Sequence, residues 1–317
     1  VSQAQITKTD IETAVTRIRP WAHRTPVLTS QSLNDLLGAT LYFKCENFQK
    51  VGAFKFRGAS NAVFSLTDHE ARHGVATHSS GNHAQALALA ARNRGIRAFI
   101  VMPSNSPKVK IEAVKSYGAD ITFCEPTLQA RESTLDSVVK KTGAEFIHPY
   151  NDTRIIAGQA TATKELIEDV ESLDIIMAPV GGGGLLSGTA LATHFYSPQS
   201  QVWAGEPVQA DDAKRSLAAG KLIESDHPKT IADGLKTSLS PLTFDIISQH
   251  VTHILTVSET GIITAMRYLF ERMKLVVEPS GAVALGALLE SRKNSANKKI
   301  GIILSGGNLD LTRFSWN

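Results

Sequence analysis

From Gly74 onwards, short apolar runs alternate with longer amphipathic stretches, and this rhythm restricts the fold more than any other feature of the chain. Strands are expected at 75–77, 98–102, 121–124 and 145–147, with helices at 82–93, 107–117 and 128–141 between them. A second series places a helix at 154–170, a strand at 175–180, a helix at 186–195 and a strand at 201–205. Helices at 258–274 and 280–291 and a strand at 299–304 close it. Alternation of this kind builds mostly parallel sheets with helices on their faces. The expected class is α/β: two open, twisted sheets in two domains, with a cleft between them where ligands of such sheets bind. Ahead of this come a helix at 9–19 with Thr9 and Glu12 as capping box, a helix at 30–37 ended by Gly38, and a strand at 40–45. The stretch 230–241 carries few apolar pairs and reads as loop.

Composition narrows the function. A net charge of +3 over 317 residues, with no basic cluster interleaved with aromatics, argues against nucleic-acid binding. Cys45 and Cys124 form no CxxC pair, so neither a disulfide framework nor a structural zinc site is indicated. No uncharged apolar run approaches the roughly 20 residues that span a bilayer. The opening VSQAQITKTD lacks the apolar core of a signal peptide. A soluble cytoplasmic protein is the expectation.

Five stretches carry chemistry. In Gln49–Asn61, QKVGAFKFRGASN, Lys55 stands between Phe54 and Phe56. Apolar rings can hold a lysine dry, lowering its pKa and freeing a neutral amine to attack an aldehyde. The same pattern also suits a surface lysine with its stem on apolar side chains. Gly181-Gly182-Gly183-Gly184 follows an apolar strand and opens a helix, where bare backbone N–H groups can cradle a phosphate. No GK[ST] follows and the GxGxxG spacing fails at Leu186, so P-loop and dinucleotide sites are disfavoured and a monophosphate cup fits best. A nicotinamide-dependent oxidoreductase is correspondingly the weaker class. His78-Ser79-Ser80-Gly81-Asn82-His83 joins a strand to a helix start that can bind a carboxylate, although Ser80 or Asn82 alone would serve as an N-cap. Ser305 ends the last strand and offers a hydroxyl to a ring nitrogen, or simply a turn. Glu206 and Asp212 can present oxygens to a hard divalent cation, Mg²⁺ or Ca²⁺, or stand as solvated acids.

Together these motifs resemble the serine racemase and serine/threonine dehydratase family of fold-type II pyridoxal-phosphate enzymes, which share the tryptophan synthase β-like fold. The likeness runs from TPVLTS at Thr25 to SGGNLDL at Ser305. It implies that Lys55, beside Phe54 in GAFKFRG, carries pyridoxal 5'-phosphate, that Asn82 meets the cofactor's ring hydroxyl, and that Gly181 to Gly184 with Leu185 hold its phosphate. Ser305 in LSGGN resembles the partner of the pyridine nitrogen. Ser79, Ser80, Asn82 and His83 would meet the substrate, while Glu206, the backbone of Ala210 and Asp212 match a site for a divalent cation (Mg²⁺, with Ca²⁺ or Mn²⁺ as alternatives). The family architecture implies a small mobile domain at 74–150, a large cofactor domain at 1–73 and 151–317, and a homodimer. The sequence stops soon after Ser305, so no regulatory domain of the biosynthetic threonine deaminases is expected. Some relatives bind ATP around the equivalent of Lys50, but Val51 and Gln31 depart from that branch.

The resemblance also implies a reaction. Lys55 would take the α-proton of an amino acid, and loss of a β-hydroxyl with ammonia would leave a 2-keto acid. Ser80 matches the residue that donates a proton on the opposite face in racemases, where catabolic threonine dehydratases carry alanine. Arg131 matches an arginine able to reach a distal carboxylate, in bidentate geometry, though a solvated helix arginine is the ordinary use of such a residue. ENFQKVGAFK, THSSGNHA and the closing SWN are most similar to microbial 3-hydroxyaspartate dehydratases. The expected substrate is therefore L-threo-3-hydroxyaspartate, giving oxaloacetate, with L-serine on the side; a serine racemase with dehydratase activity is the alternative.

Overall fold

The structure, a computed structural model, describes residues 5–291 and 295–310. The closing Ser315, Trp316 and Asn317 lie outside the described residues. Helix α1 (Lys8–Ile18) buries Ile11, Ala14 and Ile18 on one face. Its capping box is not the expected Thr9 and Glu12 but Thr7 and Asp10. The Asp10 carboxylate reaches back to the Thr7 N–H at 2.8 Å, so the helix starts two residues earlier and Thr9 lies inside its first turn. Strand β1 (Val27–Leu28), helix α2 (Gln31–Leu37), strand β2 (Thr40–Cys45) and helices α3 (Lys55–Ser65) and α4 (Asp68–Ala71) follow. Gly38 closes α2 at φ 63°, a left-handed position that suits glycine.

Strands β3 (Val75–His78), β4 (Ala98–Pro103), β5 (Asp120–Cys124) and β6 (Glu145–Phe146) pair in parallel in the order β5-β4-β3-β6. Helices α5 (Asn82–Arg94), α6 (Lys108–Ser116) and α7 (Leu128–Thr142) connect them. Helix α8 (Thr153–Asp169) leads to β7 (Ile175–Pro179), α9 (Gly184–Tyr196), β8 (Gln201–Pro207) and α10 (Asp212–Ala219). Helix α11 (Pro241–His250), β9 (His253–Val257), α12 (Glu259–Met273), α13 (Pro279–Glu290) and β10 (Lys299–Leu304) complete the chain. The larger sheet runs β1-β2-β10-β7-β8-β9, parallel except for β1.

Side-chain alternation along β10 shows how this sheet is buried on both faces. Ile300, Ile302 and Leu304 join the core under α13, and Ile303 joins the core under α8 and α9. The expected loop at 230–241 holds a short 3₁₀ turn at Asp233–Leu235, and its last residue instead opens α11. Ser240 caps that helix and Pro241 occupies its first turn, where a missing N–H costs nothing. Helix α3 was not expected either. It lies against α8 at the closest approach side chains permit, since a Cβ on Gly158 would come within 2.6 Å of Gly58 Cα. Both cysteines are free and buried. Among the described residues no helix is long and apolar enough to cross a membrane.

Candidate active site

Lys55 opens α3 and is not a surface lysine. Its amine donates to the Pro149 carbonyl at 2.8 Å and stands 5.2 Å from the centre of the Phe54 ring. Burial alone pushes its pKa down to about 8, so a usable fraction of neutral amine exists near physiological pH. The start of α3 is fixed from two sides. Phe54 N–H donates to the Ser305 carbonyl at 3.0 Å, and Ala53 bridges Gly306 beyond the end of β10. Two residues after Lys55, the buried Arg57 guanidinium spans two carboxylates, reaching Glu46 at 2.7 and 2.8 Å and Glu165 at 2.8 Å through each terminal nitrogen. Burial would raise the Glu165 carboxyl, but Arg57 and Lys44 together hold it below the ordinary range. Lys44, itself fully buried, completes the group at 2.7 Å from Glu165.

The glycine run forms the turn into α9, with Gly183 at φ 87°. It is bare by necessity. A Cβ on Gly182 would lie 2.4 Å from the Tyr150 ring, one on Gly184 2.9 Å from Tyr150 Cβ, and one on Gly181 2.8 Å from Leu235 Cα. Leu185 is buried just inside the helix.

The expected side-chain cap on α5 is absent. Gly81 is its N-cap and no side chain caps it, because Asn82 is already the first helical residue. Asn82 instead donates to Glu278 at 2.8 Å and accepts from Asn308 at 2.8 Å. Burial pushes the Glu278 carboxyl up to about 7 despite that bond. His83, the next residue, is buried, with Nε2 3.3 Å from the Ile147 carbonyl and Nδ1 without a partner. Ser79 Oγ accepts the Gly81 N–H at 3.3 Å. Ser80 is half-buried, and among the described residues its hydroxyl has no hydrogen-bond partner. A helix start left open beside an unsatisfied imidazole can take up an anion.

The histidines near Lys55 are held neutral. His83 lies well below its ordinary pKa, through burial and then the Lys55 charge. His148 is pushed down to about 4 by burial, with the His78 and Lys55 charges adding to it. His148 Nδ1 accepts the N–H groups of Tyr150 and Asn151 at 3.2 and 2.9 Å, and its ring meets Tyr150 edge-on at 4.6 Å. His148, Tyr150, Glu278 and Asn308 were not singled out by sequence. The one available signal was Glu278, a lone acid before the apolar stretch PSGAVALGALL.

Arg131 sits in the second turn of α7, which packs on β3. It is half-buried, Nε donates to the Thr127 carbonyl at 3.3 Å, and its charge lowers the pKa of His78 after burial has done so. Glu206 and Asp212 are not solvated acids; each is 1% exposed. Burial pushes Glu206 up to about 8 and Asp212 up to about 6, although Glu206 accepts the Ala213 and Lys214 N–H groups at 2.9 and 3.0 Å. Asp212 Oδ2 is buried without a partner, and Ala210 ends the 3₁₀ turn beside it. Among the described residues no group of three or more His, Cys, Asp or Glu side chains gathers as a metal centre. The expected set has only two carboxylates and a carbonyl, and the orphaned oxygen with two raised carboxyls fits a cation.

A family model described as pyridoxal-phosphate dependent enzyme matches residues 18–306. A beta-hydroxyaspartate dehydratase of Paracoccus denitrificans is 50% identical over 308 residues, covering 97% of this chain and 98% of that protein. An L-threo-3-hydroxyaspartate ammonia-lyase of Saccharomyces cerevisiae is 46% identical, covering 96% and 94%. The crystal structure of a serine racemase from Dictyostelium discoideum superposes with a TM-score of 0.93 at 48% identity, covering 96% of this chain and 99% of that one.

Proposed function

The chain belongs to the pyridoxal-phosphate-dependent enzymes, and from that premise we propose that it is a dehydratase and ammonia-lyase of 3-hydroxy amino acids. Its main substrate in this reading is L-threo-3-hydroxyaspartate, converted to oxaloacetate and ammonia, with L-serine as a side substrate. One observation carries the choice. Half-buried Arg131 has no carboxylate partner among the described residues, and its one hydrogen bond goes to its own helix backbone. A guanidinium kept unpaired there suits a substrate with a second carboxylate. The 50% and 46% identical relatives named for hydroxyaspartate support the same choice.

The residues present fit the cofactor: a glycine turn with no room for Cβ, an amine at a pKa of about 8 and a helix start with no side-chain cap. When bound, pyridoxal 5'-phosphate supplies the electron sink that makes a substrate α-proton removable. Lys55 would hold it, Gly181 to Gly184 and Leu185 would bind its phosphate, Phe54 would lie beside it and Asn82 would meet its ring hydroxyl. The neutral Ser305 hydroxyl would meet the ring nitrogen without forcing a proton onto it. Ser79, Asn82 and His83 would bind the α-carboxylate at the open start of α5. Lys55, with its lowered pKa, would take the α-proton as base. Glu206, Asp212 and the Ala210 carbonyl would hold a divalent cation, Mg²⁺ in the first place, with Ca²⁺ and Mn²⁺ as alternatives. We further propose that the unit at 74–150 moves against the rest, and that the protein works as a cytoplasmic homodimer.

Ser80 favours a second reading, a serine racemase. Its hydroxyl is uncommitted, and a proton donor facing Lys55 across the substrate is what racemisation requires. A side-by-side assay with Mg²⁺ separates the two. L-threo- and erythro-3-hydroxyaspartate, L-serine and L-threonine are supplied, and oxaloacetate, pyruvate and D-serine are measured. Oxaloacetate formed much faster than pyruvate establishes the dehydratase. Slow oxaloacetate with abundant D-serine makes the protein a racemase and leaves Arg131 a bystander.

A further inference from the structure

Tyr150 stands at both the glycine turn and the lysine. Its ring and Cβ cover Gly182 and Gly184, closing one side of the glycine turn. The residue before it, Pro149, supplies the carbonyl that holds the Lys55 amine at 2.8 Å. Its orientation is locked by two contacts with His148, the 3.2 Å bond from its own N–H and the edge-on ring contact at 4.6 Å. The His148 ring in turn meets His78 edge-on at 6.5 Å, at the end of the strand against which α7 packs. Among the described residues the Tyr150 hydroxyl has no hydrogen-bond partner, although the residue is partly buried. A held phenol with an unused hydroxyl, on the residue that follows the one holding the amine, is a donor waiting for a ligand.

We propose that the Tyr150 hydroxyl, with Arg131, binds the distal carboxylate of the substrate and so selects a 3-hydroxy dicarboxylic amino acid over serine and threonine. This deepens the reading of the protein as a 3-hydroxyaspartate dehydratase and rests on it. Burial, with the Asp212 and Glu132 charges, pushes the phenol up and keeps it a neutral donor, and the Arg131 charge acts on the same hydroxyl. Serine and threonine carry no second carboxylate and would leave this pair unused.

The test is Tyr150→Phe in the holoenzyme, a change that keeps the ring over the glycine turn and removes only the oxygen. Loss of one hydrogen bond to a carboxylate should lower kcat/KM for L-threo-3-hydroxyaspartate by about tenfold or more, chiefly through KM. The ratio of that kcat/KM to the value for L-serine should fall by a similar factor. Titration calorimetry with succinate and acetate gives a readout without turnover: succinate should weaken by a similar factor and acetate should not. Arg131→Ala combined with Tyr150→Phe should cost less than the sum of the two single changes. An unchanged substrate ratio with unchanged succinate binding overturns the proposal, and so does an equal loss for all substrates, which would put the hydroxyl at the phosphate. A wild type that prefers serine overturns the parent reading and this one together. A wild type that prefers hydroxyaspartate, with a variant whose preference is undiminished, overturns this one alone.

Discussion

The Lys55 amine donates to the Pro149 carbonyl, tying the first turn of α3 to the segment between the four-stranded sheet and α8. The acceptor is neutral, so burial is not offset by an opposite charge, and the amine stays at a pKa of about 8. In cofactor-free protein an amine-directed label should therefore modify Lys55 with a pH midpoint of about 8, read by peptide mass spectrometry. A midpoint at the ordinary lysine value of about 10.4 would mean the amine is open to water. Lys55→Ala should lower turnover by about a thousandfold.

Glu278 gives a pH signature of the opposite sign. Burial raises its carboxyl to about 7, so between the ordinary value and about 7 the folded state holds more protons than the unfolded state. Stability is then lost as pH rises through that window, and the loss persists above it. Glu278→Gln removes the titrating group and can still accept from Asn82. The melting temperature of the cofactor-free variant, relative to wild type, should rise between about pH 5 and about pH 8. Parallel melting profiles would show that Glu278 ionises freely.

The charge group beneath α3 should be costly to break. Arg57→Met would leave Glu46 and Glu165 facing each other with Lys44 as the remaining cation. Breaking such a buried pair costs about 3–5 kcal/mol, measurable by urea unfolding. A loss under about 1 kcal/mol would mean that water reaches the group.

Gly182→Ala tests the glycine turn. The new methyl would meet the Tyr150 ring at 2.4 Å, and one of the two must move. Overpacking of this kind costs about 1–3 kcal/mol, so pyridoxal 5'-phosphate should dissociate about tenfold to a hundredfold more readily in equilibrium dialysis. Unchanged retention would place the phosphate elsewhere.

The cation site is testable without turnover. Magnesium at about a hundred times its Kd should stabilise the protein by about 2.7 kcal/mol, and chelation should reverse it. Asp212→Asn should abolish the response. A variant that still responds to magnesium would put the cation at a different site.

Much of this was legible in the sequence where signals are local. Apolar runs bounded by glycine or proline marked β3, β4, β7 and β10, and the glycine run stood out by composition alone. Helix α3 did not, because KFRGASNAVFS buries Arg57 and Asn61 against partners elsewhere in the chain. Arg57 is satisfied by Glu165, 108 residues on, and no local pattern announces such a partner. Pro241 was read as the end of a loop because the Ser240–Thr243 cap before α11 is a weak signature beside a proline. Tyr150 was invisible for a related reason. Nothing in HPYN shows that its ring covers a turn more than thirty residues later.

The order of strands in the larger sheet also sets a timetable for synthesis. The four-stranded sheet is contiguous in the chain, so its strands and connecting helices all leave the ribosome by Phe146. The larger sheet has no such luxury: β10, the last strand among the described residues, sits between β2 and β7. Until it arrives, β1 and β2 have no neighbour on that side and α3 lacks its anchor at Ser305 and Gly306. The nascent chain therefore carries the start of α3 without that anchor through nearly the whole of translation, and a stop before Lys299 should release a protein whose small sheet is complete and whose reactive amine is held from the Pro149 side alone.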